Sequence, residues 1–117
     1  MRGGVRATIE IETGLLGPGF RVTPEGRPET IESHPEAGTR ITGVQIPSWR
    51  RAVDRVLEIA AAHPYLPYVG WDVVITEDGI RILEGNSNSG LDGIQRYRPL
   101  LADPRIRRFY ESRGILD

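Results

Sequence analysis

Three oxygen-bearing side chains stand near the ends of two apolar segments in the second half of this 117-residue chain. Asp72 lies near the start of the first segment, and Glu84 and Asn86 close the second, "IRILEGN". Because Glu84 and Asn86 are two residues apart, a β-strand would point both side chains to the same face. Carboxylate and amide oxygens are hard ligands of the kind that Mg²⁺ or Mn²⁺ prefers. The pattern raises the hypothesis of a divalent metal site.

Whether Asp72 shares that face depends on the length of the loop between the two segments. A two-residue loop of Asp78 and Gly79 would place Val73 opposite Glu84 and turn Asp72 to the other face. Side chains alternate along a strand, so a shift of one residue decides whether the two acids meet.

A three-residue loop, residues 77–79, brings the acids together. Thr76 then pairs with Ile80, and Asp72 lies directly opposite Glu84. We predict this loop because it also gathers apolar residues on the opposite face. These residues are Trp71, Val73, Ile75 and Leu83. Opposed carboxylates repel unless a cation neutralises them, which favours a metal site. A solvated strand end is the simpler alternative.

The first half of the chain predicts strands. Residues 5–12 alternate in polarity, as a half-buried strand does, and the glycines and proline of residues 13–19 are expected to break that strand. "FRV" at 20–22 fits a short return strand, and residues 23–33 read as a polar loop. Residues 39–46, "TRITGVQI", fit a further strand that ends at Pro47.

Two helices are predicted. Ser48 is a candidate N-cap, and the apolar residues from Trp49 to Ala60 recur at helical spacing. A second helix follows Asp103, a candidate N-cap, with Pro104 at the first helical position and Gly114 just past the end. The predicted fold class is therefore α+β, with an antiparallel sheet and two main helices.

Composition limits the possible functions. The formal net charge is −1, which does not favour nucleic-acid binding. The chain has no cysteine, no apolar run of membrane-spanning length and no apolar leader in "MRGGVRATIEIE", so we expect a cytoplasmic location and no membrane partner. All fifteen basic residues are arginine, so no lysine is available to contact phosphate.

The stretch "VGWDVVITEDGIRILEGNSNSG" resembles the metal-binding hairpin of the ATP-grasp superfamily. Three further stretches are similar to one branch of it, the sugar-transfer-associated proteins related to α-L-glutamate ligases: "GGVRATIEIETG", "HPEAGTRITGVQIPSW" and "LDGIQ". The resemblance implies that Asp72, Glu84 and Asn86 hold the Mg²⁺, or Mn²⁺, of bound ATP. It also implies part of an ATP-dependent ligase that phosphorylates a carboxylate substrate, which an amine then attacks.

The resemblance covers only part of the expected domain. Residues 1–117 correspond to a single, partial ATP-grasp domain, its C-terminal subdomain, whereas the first subdomain supplies lysines and the adenine pocket. We therefore expect the isolated chain to be inactive and to be a truncated gene product, a split protein that needs an N-terminal subdomain on another chain, or a degenerate remnant. The alternative is a non-catalytic remnant or interaction module that self-associates or completes a split protein.

Three further residues are candidates for ATP or substrate contacts. Arg6 and Arg40 lie on predicted strands and could form two-pronged contacts with phosphate, although surface arginine is an equally good interpretation. Asn88, in the flexible "SNSG" loop, could line the second-substrate site. His34 precedes a proline in a turn, and we expect it to cap that turn.

Overall fold

The computed structural model describes residues 4–116, which form an α+β fold with two antiparallel sheets. The first sheet has the strand order β1-β2-β3, and the second is the hairpin β4-β5. The elements are β1 (Arg6–Ile9), β2 (Leu16–Val22), β3 (Pro28–Ile31), α1 (Trp49–Ala61), β4 (Gly70–Thr76), β5 (Gly79–Asn86), α2 (Asp92–Gln95), a 3₁₀ helix (Leu100–Ala102) and α3 (Pro104–Ser112). The predicted fold class is confirmed, with two sheets where one was expected.

The first sheet corrects two predictions about loops. Residues 13–19 were expected to break the strand, but β2 begins at Leu16 and runs through them as the central strand. Gly19 is required there, because a Cβ at Gly19 would lie 2.9 Å from side-chain carbons of both Ile31 and Ile41. The predicted polar loop at 23–33 contains β3, which pairs with β2 from Val22 to Gly19.

Residues 39–46 do not form the predicted strand. They make only isolated bridges to the first sheet, between Ser33 and Arg40 and between Leu15 and Gln45. Gly43 has a φ of 75° and turns the chain between these two bridges, which prevents a continuous ladder.

Helix α1 begins where the sequence predicts, but its start is held differently. Ser48 is the N-cap residue, as predicted, and its backbone oxygen accepts from the Ala52 N–H at 3.0 Å, but its φ is 53° and its side chain makes no capping hydrogen bond. The indole Nε1 of Trp49 instead donates to the backbone oxygen of Ile11 at 2.8 Å. The Trp49 ring also fills the space that a side chain on Gly14 would need. These contacts join α1 to the segment after β1, and α1 also contacts β5.

Helix α3 has the predicted ends. The carboxylate of Asp103 accepts a hydrogen bond from the Arg105 backbone N–H at 2.9 Å, with Pro104 in the first turn. Gly114 has a φ of 66°, as a residue past the end of a helix often does. The hydrogen bonds from the Arg105 side chain and backbone hold the pKa of Asp103 well below its usual range, so the cap is ionised at neutral pH.

The fold buries little of itself. Among residues 4–116 Ala52, at 4% exposed, is the only buried hydrophobic residue, and the other buried positions are the glycines Gly14 and Gly19. The accessible surface is 9034 Å², whereas a compact protein of 13.0 kDa exposes about 6,300 Å². The radius of gyration, 16.0 Å, also exceeds the roughly 13 Å of a compact chain this long. Much apolar surface is therefore open. No helix in the described range is both long and apolar enough to cross a bilayer.

Candidate metal site and adjoining groove

The β4–β5 hairpin has a tighter turn than predicted. Thr76 pairs with Gly79, so the loop contains only Glu77 and Asp78. The predicted three-residue loop is wrong, and so is the alternative loop of Asp78 and Gly79. Gly79 lies on β5 with a φ of 138°, a conformation that side chains rarely adopt.

A β-bulge restores the predicted pairing of Asp72 with Glu84, which the shorter turn alone would have removed. Val73 pairs with Ile82, and the next pair is Asp72 with Glu84, which leaves Leu83 as the extra residue on β5. Leu83 was expected on the apolar face, but its side chain is 67% exposed. The bulge therefore aligns the two acids.

The three predicted ligands share one face of the hairpin. Cross-strand partners point to the same face, and here Asp72 lies opposite Glu84 while Gly70 lies opposite Asn86. The amide Nδ2 of Asn86 donates to Glu84 Oε1 at 2.8 Å. Asp72 and Glu84 are exposed, and Asn86 is half-buried. We refer to these three residues as the oxygen triad.

The chemistry of the oxygen triad fits a magnesium ion that is also held by phosphate. Two carboxylates and one amide leave several of the six octahedral positions for phosphate oxygens and water. The nitrogen of the Asn86 amide now faces Glu84. The amide group must therefore rotate before the Asn86 oxygen can bind a cation beside Glu84. Among residues 4–116 no three His, Cys, Asp or Glu side chains cluster together, so the Asn86 amide is essential to a three-ligand site.

Two glycines fit this hairpin to its surroundings. A Cβ on Gly85 would lie 2.8 Å from the Trp71 ring, so the ring covers Gly85 on the face opposite the oxygen triad. A Cβ on Gly70 would lie 2.5 Å from the Cβ of Ser89. Because Gly70 faces Asn86 across the strands, Ser89 covers the hairpin on the same face as the oxygen triad.

Arg81 is a candidate that the sequence interpretation missed. The predicted loop would have put Arg81 opposite Ile75 on the apolar face. In the structure Arg81 pairs with Val74, so it lies on the same face as Asp72 and is exposed. The signal was present in the sequence, but it depended on knowing the length of the turn.

The other predicted contacts lie elsewhere in the fold. Arg6 is on β1, where its backbone oxygen accepts from the Tyr97 hydroxyl at 3.3 Å. Arg40 donates from Nε to the Thr42 oxygen at 2.9 Å. Asn88 lines a groove between the loop after β5 and α3. Their roles in ligand binding stay predictions.

His34 has the structural role that its sequence context suggested. Its Nδ1 accepts hydrogen bonds from the backbone N–H groups of Glu36 and Ala37, both at 3.3 Å. The imidazole therefore caps the turn that follows it.

Residues 1–102 match the family described as sugar-transfer associated ATP-grasp. The chain belongs to this ATP-grasp family. Membership indicates ATP binding and an ATP-dependent, ligase-like function. Neither the comparison with curated proteins nor that with solved structures gave a match. Helix α3 begins at Pro104, beyond the matched residues.

We expect the substitution Glu84→Gln to weaken Mn²⁺ binding at the oxygen triad by at least about tenfold. Replacing a residue that only hydrogen-bonds to a metal ligand already lowers metal affinity about 10–100-fold, and Glu84 is proposed to bind the metal directly. Broadening of backbone amide signals during Mn²⁺ titration measures the affinity. The matched control is Glu77→Gln, which removes a carboxylate from the turn at the other end of the hairpin. Equal affinity in both variants would contradict a metal role for Glu84.

Proposed function

We propose that this chain supplies the Mg²⁺-binding hairpin of an ATP-dependent carboxylate–amine ligase. The observation that supports the proposal most directly is the pairing of Asp72 with Glu84, beside Asn86, on one exposed face. Membership of the ATP-grasp family supports binding of ATP, and this face is where we propose that the accompanying metal binds.

In the proposed reaction, a substrate carboxylate oxygen attacks the γ-phosphorus of ATP. The bond from that phosphorus to the β–γ bridging oxygen breaks, and ADP leaves with the electron pair. An amine nitrogen then attacks the acyl carbon of the acyl phosphate, loses a proton, and inorganic phosphate leaves. A bound Mg²⁺ neutralises the phosphate charge that develops during the transfer.

The chain's own residues would hold and orient the reactants. Asp72 and Glu84 provide negative charge for the cation, and rotation of the Asn86 amide turns its oxygen towards the same point. Arg81 is proposed to contact a phosphate oxygen, because two residues of strand, about 6.6–6.8 Å, separate it from the acidic pair and its planar fork suits phosphate. Arg6 and Arg40 remain further candidates for phosphate contacts.

The proposed site needs a second polypeptide region. The chain corresponds to a single, partial ATP-grasp domain, and it has no lysine to contribute to the nucleotide. The surface beyond that of a compact protein is about 2,700 Å², whereas one partner in an obligate interface buries roughly 1,000–2,500 Å² or more. We infer that an N-terminal ATP-grasp subdomain covers part of this surface and closes over ATP.

Titration of the 117-residue chain with Mg-ATP tests the function. We expect shifts of backbone amide signals around Asp72 and at 84–86, with a dissociation constant on the order of millimolar because one side of the nucleotide is uncovered. Arg81→Gln should weaken binding about five- to tenfold through loss of a charged phosphate contact. Arg50→Gln, on the exposed side of α1, is the matched control.

The ligase proposal is wrong if millimolar Mg-ATP leaves the signals of the oxygen triad unchanged. Equal weakening by Arg81→Gln and Arg50→Gln would show that Arg81 acts only through net charge. The experiment therefore tests the role of the oxygen triad and the role of Arg81 separately.

The large exposed surface also supports a second candidate function, a non-catalytic module that self-associates. Among residues 4–116 fourteen large apolar residues are exposed, including Ile11 at 60% and Leu57 at 61%. On this alternative, sedimentation equilibrium should give a mass that rises above 13.0 kDa with concentration. A folded monomer at every concentration, as judged by circular dichroism, contradicts self-association.

A further inference from the structure

A groove of about 400 Å³ lies between the loop after β5 and helix α3. One end is polar and consists of residues 87–89, whereas the wall is aromatic and includes Tyr68, Phe109 and Tyr110. We call it the α3 groove. Phe109 and Tyr110 lie on α3, outside the residues that match the family, whereas Tyr68 lies within them.

The polar end of the α3 groove borders the oxygen triad. Ser87 directly follows Asn86 in the chain, and Ser89 lies over Gly70, the cross-strand partner of Asn86. A molecule in the groove with its reactive group beside residues 87–89 would therefore reach the place proposed for the γ-phosphate. The position suits the second substrate of a phosphoryl transfer.

The wall of the α3 groove is a cluster of three rings. The ring centroids of Tyr68 lie 6.1 Å from Phe109 and 6.5 Å from Tyr110, and those of Phe109 and Tyr110 lie 5.5 Å apart. The interaction with the Tyr68 hydroxyl, followed by partial burial, raises the pKa of Tyr110. The three rings thus offer an apolar wall to a flat ligand that has one apolar face.

Charge selects an acid over an amine. Among the described residues that line the groove, Arg113 is the only one with a charged side chain. Its guanidinium carbon lies 5.0 Å from the centre of the Phe109 ring. A cation in a partly apolar groove attracts an anion and repels an ammonium group. The serine hydroxyls and the Asn88 amide at the polar end can donate hydrogen bonds to a carboxylate.

We propose that the α3 groove binds the acid substrate, a carboxylate with an aromatic body, with the body against the three rings and the carboxylate beside residues 87–89. The proposal rests on the proposed ligase function for its place in the reaction. Binding itself requires neither metal nor nucleotide, so it can be tested separately. The amine enters from outside this groove.

A panel of four probes tests the proposal on the unmodified 117-residue chain. 3-Phenylpropionate is the aromatic acid, 3-phenylpropylamine and 3-phenylpropionamide remove its negative charge, and acetate lacks the ring. We expect 3-phenylpropionate to shift the amide signals of 87–89 and 109–113 and to bind at least about tenfold tighter than each of the other three. Equal binding of the amine, or no shift at these residues, overturns the proposal.

Two variants test whether Arg113 causes the preference for an acid. Arg113→Gln should weaken binding of 3-phenylpropionate about tenfold and leave binding of the amide probe unchanged, whereas the control Arg108→Gln on α3 should alter neither. An equal loss for acid and amide would overturn the role of Arg113. The probes bind without Mg-ATP. A chain that binds 3-phenylpropionate but not Mg-ATP would therefore support the groove proposal and contradict the proposed ligase function. The reverse result refutes the groove alone.

Discussion

The opposition of two like charges on neighbouring strands is the constraint on which this account depends. Asp72 and Glu84 face each other across the β4–β5 hairpin, a placement that destabilises a sheet unless a cation or a donor compensates. The Asn86 amide gives Glu84 one donor at 2.8 Å, and no comparable hydrogen bond to Asp72 is present among residues 4–116. The extra residue at Leu83 creates this arrangement, since bulges re-aim side chains and often occur next to functional sites.

The second constraint is the small core. The hairpin contacts α1, and on the face that carries the oxygen triad Asp72 and Glu84 are exposed, whereas Ser89 covers the end near Asn86. The same openness explains the large surface and supports the proposal that a further subdomain covers this face. A site that binds phosphate through metal needs an enclosed, water-poor environment to make full use of its charges. The proposed ligands lie on this chain, and the proposed subdomain would provide the enclosure.

Local signals predicted the helices well, because each signal acts within a few residues. The spacing of apolar residues after Trp49 and the sequence around Asp103 located α1 and α3 almost to the residue. The failures concern pairing between distant segments. Strand β2 continues through Gly19 because Ile31 and Ile41 pack where a side chain at Gly19 would otherwise be, and no local pattern reports that packing.

The candidate site was predicted correctly in its pairing and wrongly in its turn. The shorter turn and the bulge each shift the register by one residue, so the two errors cancel at Asp72 and Glu84. The two errors do not cancel at Arg81, which lies between the turn and the bulge. The structure places Arg81 on the face of the two carboxylates, whereas the sequence predicted it on the apolar face. A bulge has no sequence signature as clear as a turn glycine, so coordinates were needed to find this arginine.

A double-mutant cycle on Mn²⁺ affinity tests most directly whether the two acids share one cation. The cycle compares the unmodified chain with Asp72→Asn, Glu84→Gln and the double variant. If both carboxylates bind one ion, the double variant should lose less affinity than the product of the two single losses, by about tenfold or more. Losses that multiply to within about a factor of two, as expected for independent sites, would contradict the shared site.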